Sequence, residues 1–242
     1  MKEEFLTRGF TIRHNFISTD EVVFLRKIYD NLMFDKEKTR GFRSDLSGTK
    51  VKEGVEKITQ IMRPSLLEPN LFKTQTYTLA TKWAKEILGN DIELDFDMLI
   101  NKAPNTNTET PWHQDAAYWI NMPDKRAVSC WIALDDVFEE NGCMWFIPKE
   151  KNIEIISHKA LPNNGALFCE IDSSNAEAVP LKMGGCTFHD GFTFHFSKGN
   201  STNSERRALI LNFRPSDMIA LERSKGIDHT GKRELRNKKG AE

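Results

Sequence analysis

Residues 92–102 read Ile-Glu-Leu-Asp-Phe-Asp-Met-Leu-Ile-Asn-Lys, and this stretch decides the fold class. Apolar side chains occupy positions 92, 94, 96, 98 and 100, and acidic side chains occupy positions 93, 95 and 97. A period of two is the pattern of a β-strand with one buried face. The sequence therefore predicts a strand here, and we expect the β part of the protein to begin at about residue 91.

The residues before this strand have the period of a helix instead. From about Lys73 to Leu88, apolar side chains recur on one side of a predicted helix, namely Leu79, Ala80, Trp83 and Ile87. The Gly89-Asn90 pair that follows is typical of a left-handed helix cap. The change of period at Gly89 marks the boundary between a helical and a β region.

Two more helices are predicted nearer the N-terminus. Ser18-Thr19-Asp20-Glu21 has the capping-box pattern, in which the Ser18 hydroxyl accepts from the Glu21 amide and the Glu21 carboxylate accepts from the Ser18 amide. Apolar residues continue on one face of this helix, namely Val22, Leu25, Ile28, Tyr29 and Leu32. A weaker helical pattern runs from Val51 to Met62 and stops before Pro64.

Strand-like runs recur after residue 100, separated by Asn-Gly, Asn-Asn-Gly and Gly-Gly turns. They lie at Ala127–Leu134, Cys143–Ile147, Ala166–Glu170, Cys186–His189 and Arg207–Phe213. Many short strands preceded by helices favour a mainly β fold with flanking helices, built on an antiparallel jelly roll or barrel. We expect residues 1–242 to form a single domain, with a mainly helical flank over 1–90, a β core over 91–215 and a C-terminal tail over 216–242.

Charge and composition narrow the range of partners. The 34 basic and 35 acidic residues give a formal net charge of −1, which argues against nucleic acid or an anionic membrane as a partner. The tail is locally basic from Arg223 to Lys239 but is diluted by acids, so we expect it to be solvated or frayed, with a partner-binding tail as the alternative. The sequence gives no indication of the oligomeric state.

The four cysteines form no CxxC pair and lie mostly in apolar runs, as expected of small buried side chains in a reducing compartment. The N-terminus lacks the apolar stretch of a signal peptide, and no run approaches the roughly 18 apolar residues of a membrane span. These observations lead us to expect a cytoplasmic protein.

His113-Gln114-Asp115 is the first motif that points to chemistry. On an extended segment His113 and Asp115 project to the same side, while Gln114 projects to the other. Two histidines and one carboxylate on one face of an iron ion form a facial triad that leaves three positions open. His189 and His195 are both candidates for the second histidine, since the others, namely His14, His158 and His229, lie in polar or terminal contexts.

Several stretches together resemble the phytanoyl-CoA dioxygenase family of Fe(II)/2-oxoglutarate oxygenases. The similar stretches are Gly9-Phe10-Thr11-Ile12, Ser18-Thr19-Asp20-Glu21, Pro111 to Trp119, Ala127 to Asp136, Asn141 to Met144, and His195 to Asn200 followed by Arg206-Arg207-Ala208. The resemblance implies a double-stranded β-helix core of the jelly-roll or cupin-like type. It also implies Fe(II), 2-oxoglutarate as cosubstrate and O2.

The resemblance assigns roles residue by residue. It implies that His113, Asp115 and His195 are the metal ligands, because Ser197 and Arg206 follow His195 at the offsets of the family. Arg206 then corresponds to the arginine that binds the remote carboxylate of 2-oxoglutarate through two charge-assisted hydrogen bonds, with Ser197 beside it.

Five further residues are assigned less directly, and all but His189 have an ordinary structural alternative. Trp131 resembles a residue packed beside 2-oxoglutarate, although it also suits an ordinary core. Lys102 resembles a lysine that reaches the cosubstrate. Its strand parity predicts that the side chain is buried, and a buried lysine favours a nearby anion. The alternative is that Lys102, at the end of its strand, extends its ammonium group to water. Tyr118 and Trp119 either line the substrate pocket or hold a loop, and His189 becomes a neighbour in the pocket wall.

The implied function is oxidation, most often hydroxylation, of a C–H bond in a small organic metabolite, with release of succinate and CO2. Desaturation, epimerisation or ring closure on the same iron, or a non-catalytic cupin-like binding protein, are the alternatives. Where many relatives have Ile-Pro-Gly-Ser-His, this chain has Ile147-Pro148-Lys149-Glu150-Lys151, so the substrate of better-known members does not transfer.

Overall fold

The computed structural model describes residues 1–48, 56–149, 154–163 and 165–230. The helices are α1 (Lys2–Arg8), α2 (Thr19–Phe34), α3 (Lys36–Thr39), α4 (Pro64–Leu67), α5 (Gln75–Leu88) and α6 (Ser216–Ser224), and short 3-10 helices lie at Pro69–Lys73, Asp115–Tyr118 and Glu139–Asn141. The first strands are β1 (Phe10–Arg13), β2 (Arg43–Asp45), β3 (Ile58–Met62), β4 (Ile92–Lys102), β5 (Thr110–His113), β6 (Val128–Ala133) and β7 (Met144–Phe146). The later strands are β8 (Lys159–Ala160), β9 (Leu167–Phe168), β10 (Glu177–Val179), β11 (Cys186–Asp190), β12 (His195–Ser197) and β13 (Arg206–Pro215).

Two antiparallel sheets make up the core of the fold. The larger has the strand order β1-β11-β6-β13-β4-β3-β2, and the smaller has the order β10-β7-β12-β5. One apolar cluster lies between the sheets and includes Trp131, Phe146 and Ile210. A second cluster joins α2 and α5 to the other face of the larger sheet, and includes Leu25 and Ile132. The predicted class, mainly β with flanking helices around a jelly-roll core, is confirmed.

The N-terminal helices begin where their caps predict, but two details differ. The Ser18 hydroxyl accepts from the Glu21 amide at 3.2 Å. The Glu21 carboxylate does not return to Ser18; it accepts from the amide and hydroxyl of Thr76, at 2.9 and 2.8 Å, and so caps α5 instead. Gly89 ends α5 with φ of 129° and ψ of 165°, which is an extended conformation open to glycine rather than the predicted left-handed cap.

The predicted helix over Val51–Met62 is wrong where the structure tests it. Residues 58–62 form strand β3, which pairs with β4 in the larger sheet, and all five are buried. Both faces of this strand are covered, so its apolar residues do not alternate and their spacing imitates a helix. Residues 51–55 of the prediction lie outside the described residues.

Strand β4 is present as predicted, yet it does not keep one buried face. Asn212 of β13 pairs with Phe96 and Phe213 pairs with Leu94, which leaves Asp95 unpaired in a β-bulge. The extra residue exchanges the two faces of the sheet to which the alternate side chains of β4 point. Ile92 therefore packs in the helix-side cluster, whereas Met98 and Ile100 pack between the sheets.

The acids of β4, predicted to face solvent, are partly enclosed. Asp95 is 4% exposed and pairs with Arg214 and Arg223, and Asp97 is fully buried. Asp97 accepts from the Ser65 amide and hydroxyl at 3.1 and 2.9 Å and from the Tyr77 hydroxyl. Helices α4 and α5 thus cover Asp97, and Arg214 and helix α6 cover Asp95.

The C-terminal segment is folded against β4, which corrects the prediction of a frayed tail. Glu222 of α6 is fully buried and His229 is 5% exposed. Arg214 of β13 lies between them and Asp95, with Nη2 at 2.7 Å from Glu222 Oε2 and 2.8 Å from His229 Nε2. The basic residues 231–239 lie outside the described part of the chain.

All four cysteines are buried and free, as the sequence predicts. Among the described residues, no helix combines the length and the apolar character that a bilayer crossing demands.

The ion pairs of the buried Arg214 lead to a prediction about stability. Arg214→Ala removes the buried cation that Asp95 and Glu222 share and leaves them the partly exposed Arg223, so the free energy of unfolding should fall by about 3–5 kcal/mol. The matched control Arg40→Ala removes an arginine whose side chain is 75% exposed, and should cost less than about 1 kcal/mol. Urea denaturation followed by circular dichroism measures both. Equal losses for the two variants would contradict the pairing.

Candidate metal centre

His113 and His195 are brought together by the smaller sheet. Strand β12 lies between β5 and β7, and His195 pairs directly with His113. Side chains of directly opposed residues project to the same face of a sheet, and the two ring centroids are 4.1 Å apart. Asp115 follows β5 as the first residue of the 3-10 helix Asp115–Tyr118. The sheet register and this tight turn place all three side chains at one end of the cavity.

The three side chains form a compact donor set. Asp115 Oδ1 is 3.8 Å from His113 Nε2 and 3.5 Å from His195 Nε2. One ligand atom from each residue fits within a group whose members lie at most 4.8 Å apart. Divalent metals of the first transition row bind such atoms at about 2.0–2.2 Å, so a small contraction would complete a site.

The hydrogen bonds of the two histidines fix which nitrogen faces the centre. His113 Nδ1 is 2.8 Å from the Pro111 carbonyl, and His195 Nδ1 is 2.9 Å from the Thr193 carbonyl. A carbonyl only accepts, so each Nδ1 donates and each Nε2 keeps its lone pair. This is the arrangement that metal-ligating histidines adopt.

The charge states of His113 and Asp115 suit metal binding. Burial, with the neighbouring His195 charge, lowers the pKa of His113 to about 3, so this imidazole is neutral at physiological pH. Burial raises the pKa of Asp115, but the charges and hydrogen bonds of His195 and His189 outweigh it and hold that pKa well below its ordinary range. Asp115 is therefore an anion. Burial lowers the pKa of His195, but Asp115 outweighs it and raises that pKa overall.

His189 lies beside the donor set on the neighbouring strand β11. Its Nε2 is 3.4 Å from Asp115 Oδ2, which is the carboxylate oxygen that faces away from His113 and His195. Ser129 Oγ is 2.8 Å from the same Oδ2 and also 2.8 Å from Asn212 Oδ1. His189 and Ser129 thus contact the outer oxygen of Asp115, and His113 and His195 contact the inner one.

Arg206 is a buried cation without a carboxylate partner. It is 1% exposed, and its Nε and Nη2 donate to the Gly142 carbonyl at 2.9 and 2.6 Å. Its guanidinium lies 4.9 Å from the centroid of the Trp131 ring. Burial lowers its pKa to about 10, so it stays charged, and no ion pair joins it to any carboxylate of the described residues. A buried charge of this kind favours an anionic ligand.

One cavity joins the donor set to Arg206. Its volume is about 890 Å³ when the open solvent at its mouth is counted. Of the residues assigned from the sequence, all but one line it, namely His113, Asp115, His195, Arg206, Ser197, Trp131, Tyr118, Trp119 and His189.

Tyr118 also accepts a hydrogen bond from the Leu167 amide at 2.7 Å, so it both lines the cavity and holds a strand.

Lys102 is the residue that does not line the cavity. It is 1% exposed, as strand parity predicts, but its Nζ donates to three carbonyls, those of Thr108, Ser197 and Lys198, at 3.2, 3.0 and 2.7 Å. Three carbonyls satisfy an ammonium without an anion. Lys102 therefore holds the backbone of β12 in place and does not belong to the proposed cosubstrate site.

Asn212 and His229 are among the cavity residues that the sequence reasoning missed. Asn212 has the same strand parity as Arg206 on β13, so alternation along that strand was a signal for it. His229 was set aside because its local context is polar and terminal, and no local signal identifies it. With Asp95 and Glu222 it forms a second group of potential metal ligands, but Arg214 Nη2 bonds to all three, so this group is an ion-pair network.

Comparisons with known proteins agree with this architecture. A crystal structure of EvdO2 from Micromonospora carbonacea var. aurantiaca superposes with a TM-score of 0.75 at 30% identity over 88% of each chain. The same protein complexed with 2-oxoglutarate gives a TM-score of 0.71 at 29% identity, again over 88% of each chain.

Curated sequences align over different shares of this chain. A probable alpha-ketoglutarate-dependent hypophosphite dioxygenase of Stutzerimonas stutzeri is 24% identical over 89% of this chain and 78% of its own length. Phytanoyl-CoA dioxygenase domain-containing protein 1 of Danio rerio is 29% identical over 50% of this chain, which is 44% of its own length. The aligned stretch is thus less than half of that relative. A family model described as phytanoyl-CoA dioxygenase (PhyH) matches residues 5–208, and the chain belongs to this family.

Proposed function

We propose that this protein is an Fe(II)- and 2-oxoglutarate-dependent dioxygenase that oxidises a C–H bond of a small organic metabolite, most often by hydroxylation. Succinate and CO2 are the expected coproducts. One observation carries the proposal: a two-histidine, one-carboxylate donor set and a buried arginine without a carboxylate partner line the same cavity. The complex of EvdO2 with 2-oxoglutarate supports the choice of cosubstrate.

The proposed metal ligands are His113 Nε2, Asp115 Oδ1 and His195 Nε2. These atoms face one another. The other donor atom of each residue has a different partner: His113 Nδ1 contacts Pro111, Asp115 Oδ2 contacts Ser129 and His189, and His195 Nδ1 contacts Thr193. The bound iron and 2-oxoglutarate supply the oxidising chemistry. The role of the three side chains is to hold the ion and leave its open face toward the cavity.

The proposed cosubstrate ligands are Arg206 and Ser197, with Trp131 packed beside them. The guanidinium lies over the Trp131 ring, which fixes its plane and restricts its motion. Ser197 is 2% exposed and lines the same end of the site. A carboxylate bound here would give Arg206 the countercharge that the described residues do not supply. A zinc hydrolase would use the same donor set but would leave Arg206 unexplained.

The Asp115 side chain needs support because only one of its oxygens can face the metal. Ser129 donates to Asp115 Oδ2, and a hydroxyl carries one proton, so it can only accept from Asn212. An Asn212 amide turned so that its NH2 faces Ser129 would donate to that hydroxyl, and the Asn212 Nδ2 has no other partner among the described residues. The chain from Asn212 through Ser129 to Asp115 orients the proposed ligand.

Two broader assignments accompany this function. We propose that residues 1–242 form one domain, since β1 from the N-terminal part pairs with β11 in the larger sheet. We also propose a cytoplasmic location, which the free, buried cysteines support.

The ligand set predicts how two neighbouring histidines differ. Removal of a ligand in Asp115→Ala or His195→Ala should weaken Fe(II) binding more than about 100-fold, whereas His189→Ala removes an outer contact and should weaken it about 10-fold. Anaerobic calorimetry measures the affinity. The assignment is wrong if His189→Ala loses more affinity than His195→Ala, or if Asp115→Ala binds iron as the parent does.

Ser129→Ala tests the support of Asp115 separately. It removes one hydrogen bond to Oδ2, so Fe(II) affinity should fall about 10-fold or somewhat more, while the fold is retained. Ser201→Ala is the matched control, because Ser201 is exposed and its hydroxyl bonds only to the Glu140 carbonyl. An unchanged affinity in Ser129→Ala would remove Ser129 from the assignment.

Arg206 and Arg207 form a natural matched pair for the cosubstrate site. Anaerobic protein with Fe(II) and 2-oxoglutarate should show a weak visible charge-transfer band, and Arg206→Ala should raise the 2-oxoglutarate Kd by about 30-fold or more. Arg207→Ala should leave that Kd within about twofold, since Arg207 pairs with Asp135 and Asp30 outside the cavity.

Aeration of the loaded parent protein should then release succinate from 2-oxoglutarate. Absence of both the band and succinate in folded, iron-loaded protein would sink the proposed function.

A further inference from the structure

Away from the donor set and Arg206, the cavity wall has no lysine, arginine or carboxylate among the described residues. Apart from Asp115 and Arg206, both assigned to iron and cosubstrate, every residue that lines the cavity is apolar, a neutral polar side chain or a histidine. The part of this wall that the proposed function leaves unused is largely sulfur-containing and aromatic, namely Met62, Phe96, Met98, Tyr118, Trp119 and His229.

His229 is held rigidly in this wall by the C-terminal segment. Its ring stacks on Phe96, with centroids 4.1 Å apart and planes inclined by 21°. Its Nε2 lies 2.6 Å from Glu222 Oε2 and 2.8 Å from Arg214 Nη2. The ring therefore presents a fixed surface, because its orientation is set by a buried ion-pair network rather than by the cavity contents.

Trp119 is fixed from both sides in the same wall. A Cβ placed on Gly191 would lie 2.6 Å from Trp119 Cζ3, so the absence of a side chain at Gly191 makes room for the indole. The Arg214 guanidinium lies 4.8 Å from the indole centroid on the other flank. Arg214 thus contacts both Trp119 and His229, and it couples the two aromatic surfaces.

We propose that this wall, defined by Phe96, Trp119 and His229, binds the substrate, and that the substrate is an uncharged molecule with an apolar ring or hydrocarbon surface. The inference rests on the proposed function, because it takes Arg206 and the metal as already occupied. An anionic or cationic group placed against this wall would lose its hydration without gaining a countercharge, which disfavours charged substrates. Flat apolar surface placed between rigid aromatic rings is favoured by burial and stacking.

A matched pair of probes tests the charge preference. We would measure the binding of 2-naphthol and of 2-naphthoate, which share one ring system, to anaerobic protein saturated with Fe(II) and 2-oxoglutarate, by equilibrium dialysis at pH 7. We expect 2-naphthol to bind with a Kd at least about tenfold lower than 2-naphthoate, which corresponds to about 1.4 kcal/mol. Equal affinities, or tighter binding of 2-naphthoate, would overturn the inference.

Variants test the location of the bound probe. His229→Ala should raise the 2-naphthol Kd by about tenfold while the charge-transfer band of Fe(II) and 2-oxoglutarate is unchanged. His14→Ala is the matched control, because His14 is exposed and does not line the cavity. If His229→Ala fails to fold, Trp119→Leu and His229→Gln replace it; the glutamine keeps an N–H donor for Glu222 but loses the ring.

The outcomes separate this inference from the proposed function. A parent protein without the charge-transfer band contradicts the proposed function itself. A normal band with 2-naphthol binding that is the same in the parent and in the wall variants contradicts only the assignment of the wall.

Discussion

A charged side chain that is removed from water needs an opposite charge or a full set of hydrogen bonds, and this constraint organises the whole structure. Four such groups lie in or beside one cavity, and each meets the requirement differently. Lys102 donates to three carbonyls, and Arg214 pairs with Asp95 and Glu222. Asp115 is surrounded by histidines, and Arg206 has a single carbonyl. The two groups with incomplete partners are the ones that the proposed function supplies with iron and a carboxylate.

The sheets explain why these groups can be buried at all. The larger sheet has helices on one face and the smaller sheet on the other, so polar residues on either face of β4 lose contact with water. The bulge at Asp95 directs that carboxylate toward the C-terminal segment, where Arg214 joins it to Glu222 and His229. A local irregularity in one strand thereby ties the last described residues of the chain to the wall of the cavity.

The site separates two tasks between its two ends. At one end, two imidazoles and a single carboxylate are held by carbonyl and hydroxyl groups, which leaves three donor atoms directed at one point. At the other end, aromatic rings are fixed by Gly191, Arg214 and Glu222, none of which is part of the donor set. Arg214, Glu222 and His229, which belong to the second end, lie beyond residues 5–208, the stretch that the family model matches.

The sequence alone determined the β region after Gly89, helices α2 and α5 before it and the candidate residues His113, Asp115, His189 and His195, because period and spacing are local properties. The family resemblance added Arg206. The sequence did not determine β3, the bulge at Asp95 or the environment of Lys102. Burial on both faces removes the alternation that marks a strand, and a bulge depends on the partner strand. Only the tertiary structure brought His229 to the cavity, since its burial is caused by Phe96, Arg214 and Glu222, which are distant in sequence or lie across a turn.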